Sequence, residues 1–533
     1  MRRWNGWGDE SIEPALHAEA LAFLQQRIGE SRSFQDATLA EVSRNIAPSR
    51  LPAHRLIDTT AETRLRCALG QSLPDWLKLR YGRIAAVPDG VAFPESGEQV
   101  RELLAYARGC AAAVIAYGGG TAVAGQLTVP AGEQSVLTIN LSRLTRFSEL
   151  DRKAQLARFG AGITGPDLEA QLRAQGYTLG HFPQSFEYST LGGWIATRSS
   201  GQQSLRYGRI EQLFAGGRIE TPEGTLLIPT FPASAAGIDL REMVLGSEGR
   251  LGILTEASVR VTPLPESEAF HALFFPDWER AEDAVRAMAQ ARLPLSLLRL
   301  SNATETSTSL TLAGHRTLLG LLQRYLGWRG CGDGKCLLLV GASGARASVA
   351  GALGQAFAIA RSRQGIHIGR ALGEKWKQNR FRSVYLRNAL WQNGYAVDTA
   401  ETAVDWPRVR DMMQAIEQAA SGALAAHGER LHCYTHLSHL YAQGASVYST
   451  FVWRLAGDYD ADLARWRALK AAVCEAIVAN RGSISHQHGV GTDHAAYLAA
   501  EKGELGLGAM RALFRHFDPQ GMMNPGKLLP PQS

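Results

Sequence analysis

The sequence predicts an α+β chain of several domains, and three observations carry that reading. Its 533 residues are too many for one hydrophobic core. Up to Gly82 the apolar spacing is mainly helical. From Arg83 short apolar runs alternate with helical spacing and are punctuated by glycine-rich turns. Residues 1–82 are therefore expected as a helical N-terminal portion and 83–265 as one domain. Residues 266–480 are expected as a second, α+β domain, and 481–533 as a C-terminal segment.

The elements follow in order. Helices are expected at Glu13–Ile28 and Thr60–Leu69, behind an opening Trp4-Asn5-Gly6-Trp7 whose indoles pack on the body. The first helix is amphipathic, with Leu16, Leu21, Leu24 and Ile28 on one face. Core packing is its expected use, and peripheral membrane attachment the alternative. Ser96 is the N-cap of a helix running to Gly109. Ala111–Ala116 is a continuous apolar run, the mark of a buried strand. It leads into Gly118-Gly119-Gly120, whose bare N–H groups suit a pyrophosphate.

Gly160-Ala161-Gly162-Ile163-Thr164-Gly165 matches the dinucleotide fingerprint. The strand before it, Ala154–Phe159, carries Gln155 and Arg158, however, and Thr164 is explained as the N-cap of a helix Asp167–Gln175. A hairpin is expected from Phe214–Ile219 and Thr225–Ile228, then an alternating strand Gly252–Val261 ended by Pro263 and Pro265. The second domain should hold helices Glu279–Arg292, Gly314–Leu326 and Arg346–Gln364 and strands Leu295–Leu300 and Cys336–Val340. Gly341–Gly344 reads as a turn, and a helix Asp460–Asn480 ends before Gly482.

Composition excludes several classes. With 45% hydrophobic and 20% charged residues the chain is an ordinary globular one. A net charge of +6 without a basic block argues against a nucleic-acid partner. Cysteines 67, 110, 331, 336, 433 and 474 are scattered, unlike a secreted disulfide framework. Cys331 and Cys336 resemble half a zinc site, but no second pair follows at matching spacing, so no metal is expected. No apolar run reaches the ~20 residues of a membrane span. The chain opens on no signal-peptide core and does not end in Ser-Lys-Leu, so a cytoplasmic location is expected. Neither Gly-x-Ser-x-Gly nor His-Glu-x-x-His occurs.

The stretch from His181 to Ser200 is too polar and glycine-broken for a core strand and too long for a turn. Ser185, Tyr188, Ser189, Thr190, Thr197, Ser199 and Ser200 surround Gly192-Gly193. Alone it is either a polar surface loop or a cradle for phosphates and a ribityl chain. Together with Tyr117–Thr121 and Gly246–Gly252 it reads as a flavin site. Late in the chain stand His432, His436, His439, His486, His488 and His494, with Gly489 and Gly491 nearby. They could ligate a metal, act as acid and base, or hold a phosphate. On a strand, His486 and His488 would share one face.

These motifs resemble the alkyldihydroxyacetonephosphate synthase (alkylglycerone-phosphate synthase) family of the vanillyl-alcohol oxidase / p-cresol methylhydroxylase superfamily. The likeness runs from Trp4-Asn5-Gly6-Trp7-Gly8 to Asp518-Pro519 and Asn524. It implies a two-part FAD-binding domain of the p-cresol methylhydroxylase type over 83–265 and an α+β cap (substrate) domain. The C-terminal segment would return to the FAD side. Flavin contacts are implied at Ala116, Tyr117, Gly118, Gly119, Gly120, Thr121 and Ala122, and at Gln184, Ser185, Phe186, Glu187, Tyr188, Ser189 and Thr190. Others fall on Thr197, Arg198, Ser199 and Ser200, and on Glu248, Gly249, Arg250, Leu251, Gly252, Ile253 and Leu254. Thr121 after the glycines implies that FAD is non-covalent.

The family's reaction exchanges the acyl group of acyl-dihydroxyacetone phosphate for a fatty alcohol through a flavin N5 adduct, without net redox, in ether lipid synthesis. Its essential tyrosine matches Tyr448 and its substrate arginine Arg387. His486 and His488 are implied to assist, with Gln487 standing where the family has a middle histidine. A tyrosine base, with an ordinary pKa of ~10, needs such help. The implied partners are a small lipid substrate and no nucleic acid, with peripheral membrane contact and a homodimer left open. The competing class is an FAD-dependent D-2-hydroxy acid dehydrogenase, whose metal motif Tyr448 interrupts. A non-catalytic flavoprotein is the third reading.

Overall fold

A computed structural model describes residues 1–13, 15–312 and 316–530, with side chains for all of these except 316–318. Among the described residues the first helix is Ala18–Ile28. Pro14, within the expected helix Glu13–Ile28, lies outside them, as do residues 314 and 315 of the expected helix Gly314–Leu326. Leu24 and Ile28 bury against Leu390, Tyr395 and Val452, so the amphipathic face serves the core. Thr60–Leu69 shortens to a helix Ala61–Arg66. Two further short helices, Leu39–Arg44 and Leu73–Arg80, are capped by Thr38 and Ser72.

Two sheets follow. Gly90–Ala92, Val136–Asn140 and Ala113–Tyr117 pair in parallel, with Ile57–Asp58 added antiparallel at the edge. The helix Gly97–Gly109 covers them, its Ser96 hydroxyl accepting from Gln99 N–H at 3.3 Å. The second sheet is antiparallel, in the order Phe147–Asp151, Leu156–Gly160, Ile253–Arg260, Phe214–Thr221, Gly224–Ile228. The fingerprint match is thus a strand end, with Thr164 capping the helix Gly165–Ala174. Its glycines serve close packing: a Cβ on Gly160 or Gly162 would stand 2.3 or 1.7 Å from the carbonyl oxygens of Leu144 or Leu141.

The third sheet has seven antiparallel strands. In order they are Ile366–His367, Ser267–Phe275, Cys336–Gly344, Leu297–Ser301, His432–Leu440, Gly444–Arg454 and Tyr395–Asp405. Period-2 alternation divides its faces. Leu298, Leu300, Leu338, Val340, Leu437 and Val447 point into a core shared with the helices Trp278–Gln290, Arg346–Arg361 and Val409–Ala425. The intervening Leu297, Arg299, Leu337, Leu339, His436 and Tyr448 face a large cavity. One face builds the domain and the other is left for chemistry.

Three expectations are corrected here. Gly341–Gly344 is no turn but the end of a fully buried strand, with Gly341 lying against the Phe270 ring. The second half of the His181–Ser200 stretch is a helix, Leu191–Thr197, capped by the Thr190 hydroxyl. Its glycines are tolerated because Gly192 packs on Ala161 and Trp194 is buried. His486 and His488 lie on an irregular segment and not on a strand, so they do not share a face.

The end of the chain packs beside the strand that enters the glycine turn. Asn524 N–H donates to the Val114 carbonyl at 2.8 Å, and Arg250 donates to the Met523 and Asn524 carbonyls at 3.0 and 3.2 Å.

Candidate active site

One cavity of about 1010 Å³ unites the stretches separated in sequence. On its wall stand Ala116, Gly118, Gly119, Gly120, Thr121 and Ala122, with Gln184, Ser185, Ser189 and Thr190. Thr197, Ser199 and Ser200 join them, as do Glu248, Gly249, Leu251, Gly252 and Leu254. The glycine turn is pressed onto the loop: a Cβ on Gly118 would lie 2.4 Å from Thr190 Oγ1, and one on Gly119 only 1.8 Å from the Tyr188 carbonyl oxygen. Gly120 has φ +63°, where a side chain is strained. Bare N–H groups and hydroxyls on a concave wall fit a dinucleotide such as FAD. So does Asn524 on the same wall, whose buried Oδ1 has no hydrogen-bond partner among the described residues.

Other residues of those stretches turn away from the cavity and support the cradle from behind. Tyr117 is buried, its hydroxyl donating to the Arg66 carbonyl. Phe186 stacks on Phe381, Glu187 accepts from the Tyr385 hydroxyl at 3.0 Å, and Tyr188 packs edge-on to Trp7. Arg198 bonds Glu242 and the Leu245 carbonyl, Arg250 holds the chain end, and Ile253 belongs to a core. Glu248 does both: it lines the cavity while its carboxylate accepts from Val490 and Gly491 N–H at 2.6 and 2.8 Å.

Strand register sets the reactive row. Tyr448 lies directly between His436 on one neighbouring strand and Glu401 on the other. Its ring stacks on His436 with centroids 4.7 Å apart and meets His488 edge-on at 5.7 Å. Burial pushes the Tyr448 phenol up, and Glu401 and Asp398 add to this, while Thr399 and Arg299 oppose it. The resting hydroxyl is therefore protonated at neutral pH. Arg387 comes from the helix Leu386–Gln392, lies 4.2 Å over the Trp76 ring and donates to the Gln71 carbonyl. Burial lowers its guanidinium to about 10. No carboxylate lies within salt-bridge distance of it among the described residues.

The two predicted histidines separate. His488 reaches the cavity, and burial lowers its imidazole. His486 sits behind it, where Arg209 donates to Nε2 at 2.7 Å and the Tyr441 hydroxyl stands at the same distance. Arginine only donates, so Nε2 is unprotonated and Nδ1 carries the proton. Nδ1 faces Glu401 Oε1 at 3.2 Å, an ion-pair distance without hydrogen-bond alignment. Ligand atoms of Glu401, His439 and His486 lie within 4.8 Å of one another. With a guanidinium fixing the tautomer of His486, this cluster does not suit a cation. His436 and His439 also face the cavity; His432 bonds Thr308, and His494 the Gly489 carbonyl.

Several groups here escaped sequence reading. Glu305 bonds Arg299 at 2.6 Å and stands 3.1 Å from His436. Burial would raise its carboxyl, but Arg299 and His436 outweigh it and hold it at about 2. Asp398 pairs with Lys470 at 3.3 Å and its charge is felt by Arg387. Lys375, Arg380 and Arg382 add positive charge, and Leu310, Leu372, Trp376 and Leu390 extend the apolar wall. Arg299 sits inside a strand that was expected, so its cavity-facing position follows from period-2 alternation. Glu305, on an unexpected helix Ala303–Leu312, gave no signal.

Cradle, antiparallel sheet and joining cavity define a flavoprotein of the FAD-linked oxidase class. A family described as an FAD binding domain matches residues 88–228, and one described as FAD linked oxidases, C-terminal domain, matches 264–528. The solved structure of p-cresol methylhydroxylase with substrate bound shares the fold, with a TM-score of 0.69 at 11% identity over 89% of this chain and 94% of that one. Alkyldihydroxyacetonephosphate synthase from Dictyostelium discoideum is 31% identical over 88% of this chain and 77% of its own. A solved structure of alkyldihydroxyacetonephosphate synthase superposes with a TM-score of 0.84 at 26% identity, covering 98% of each chain. The chain belongs to the alkyldihydroxyacetonephosphate synthase family and is an FAD-dependent enzyme.

Proposed function

We propose that the chain exchanges the acyl group of an acyl-dihydroxyacetone phosphate for a fatty alcohol, giving an ether lipid precursor and a fatty acid, with FAD held non-covalently. The observation that carries this reading is the mixed lining of one cavity. The FAD cradle, the reactive groups Tyr448, Arg387 and His488, and an apolar wall of Leu297, Leu310, Leu337, Leu339 and Trp376 share it. A hydrophilic headgroup and a long alkyl chain need both characters in one space. Lys375, Arg380 and Arg382 offer charge for a phosphate.

In the exchange, the bond from the headgroup carbon to the acyl oxygen breaks and the carboxylate leaves with its electron pair. The alcohol oxygen forms the new bond, and its proton departs with the fatty acid. Bound FAD supplies a ring that takes up and returns electron density beside that carbon. Arg387, which has no carboxylate partner among the described residues, meets the departing carboxylate with a two-pronged guanidinium. Tyr448 moves the proton at the carbon bearing the ester. Since burial holds the phenol protonated, this role depends on nearby cations, and Arg299 is one that lowers it. His488 contacts the Tyr448 ring and His486 is turned to Glu401. His486 therefore acts through the network behind the wall.

Purified holoenzyme given palmitoyl-dihydroxyacetone phosphate and 1-hexadecanol is expected to release palmitate and form the ether. Release of neither, with flavin reduction by a D-2-hydroxy acid, favours the dehydrogenase reading.

A further inference from the structure

Glu401 is a fully buried carboxylate in the reactive row, yet it does not touch the cavity; three neighbours converge on it. Ser438 Oγ donates to Oε1 at 2.6 Å, Gln487 Nε2 donates to Oε2 at 2.6 Å, and His486 Nδ1 lies 3.2 Å from Oε1. A carboxylate so surrounded is ionised. Burial opposes this, but His486, His439 and His488 outweigh it and hold the group well below the usual range. The other charged or titratable groups facing this corner are Tyr448, His436 and Asp398, with Tyr441 and Arg209 behind His486.

An ionised carboxylate accepts and never donates, so it dictates which end of the Gln487 amide it receives. The NH2 group is committed to Glu401. Gln487 nonetheless lines the cavity, and the atom left for a ligand is the carbonyl oxygen. We propose that Glu401 is a positioning residue that fixes the Gln487 amide so that Oε1 presents a hydrogen-bond acceptor to a substrate hydroxyl. This rests on the functional reading above and specifies its ligand chemistry: the neutral hydroxyl of the fatty alcohol, since both hydroxyls of the dihydroxyacetone headgroup are esterified in the acyl substrate. Glutamine takes no proton at neutral pH, so it orients the hydroxyl and leaves proton transfer to other groups.

Two variants of the holoenzyme test it. Gln487→Met keeps the length and removes both polar atoms. Binding of 1-hexadecanol and of 1-methoxyhexadecane is read from the flavin absorbance. The alcohol is expected to bind ~10-fold more weakly while the methyl ether, which cannot donate, is unaffected. Equal weakening of both, or of neither, overturns the proposal.

Gln487→Glu places a second carboxyl against Glu401, and two such groups at hydrogen-bond distance share one proton. While that proton is held, the variant presents a carbonyl as Gln487 does; once it is lost, like charges repel. A new loss of activity with rising pH, absent from the wild type, is expected. A pH profile parallel to the wild type contradicts the proposal. If Gln487→Glu does not retain FAD, the Gln487→Met comparison decides alone. A wild type that binds 1-hexadecanol yet makes no ether counts against the reaction and not against this contact.

Discussion

Tyr448 and Arg387 reach one cavity from a strand and a helix 61 positions apart in the numbering. Tyr448→Phe removes only the hydroxyl and should spare FAD and folding while cutting turnover roughly 10²–10⁴-fold. Steady-state rates beside the 450 nm absorbance check this, and wild-type turnover would refute the assignment. Arg387→Lys should also lose activity, since an ammonium cannot reproduce the fork. At Gly119 the constraint is steric: a Cβ would sit 1.8 Å from the Tyr188 carbonyl oxygen. Gly119→Asp should therefore purify without flavin, read as the ratio of absorbance at 450 and 280 nm. Gly119 was legible because glycines and hydroxyls cluster in sequence, whereas Tyr448 and Arg387 were reached only through the resemblance to the family. Glu401 and Gln487 were opaque as a pair, since their meeting depends on strand register and on an irregular segment 86 residues away.

At the scale of elements, two strands of the seven-stranded sheet, Leu297–Ser301 and Cys336–Gly344, were expected from their apolar runs, and the other five were not. The strand Cys336–Gly344, buried throughout, looked like a strand ending in a turn because glycine and serine fill its last positions. The helix carrying Arg387 is held by the N-terminal arm: Asn388 Nδ2 donates to the Trp7 carbonyl at 2.8 Å, and its Oδ1 accepts from Trp7 N–H at 3.2 Å. Asn388→Ala should cost on the order of 1–3 kcal/mol and lower kcat, measured by thermal unfolding and kinetics. The Glu305 carboxyl, held at about 2 by Arg299 and His436 after burial is overcome, gives the seven-stranded sheet a pH dependence. Because the folded value lies below the ordinary 4.5, its stabilisation is complete above pH ~4.5 and disappears as pH falls toward 2. The urea midpoint should drop across that window in the wild type, and less in Glu305→Gln.

For the whole molecule, the site exists only because separate parts of the chain enclose it, joined by Asn524 donating to the Gln126 and Glu248 carbonyls at 3.2 and 2.7 Å. Acid precipitation should leave the yellow colour in the supernatant, as expected for FAD held by such contacts alone, and colour in the pellet would mean a covalent link. Dialysis against a chelator should not change activity, because Arg209 holds the tautomer of His486 that faces Glu401. The most direct measurement is anaerobic mixing of holoenzyme with palmitoyl-dihydroxyacetone phosphate and 1-hexadecanol, following palmitate, ether product and the flavin spectrum together. One palmitate released per ether formed, with no net flavin reduction at the end, is the predicted result. Flavin that stays fully reduced, or that is reduced by D-2-hydroxy acids while no palmitate appears, would contradict it.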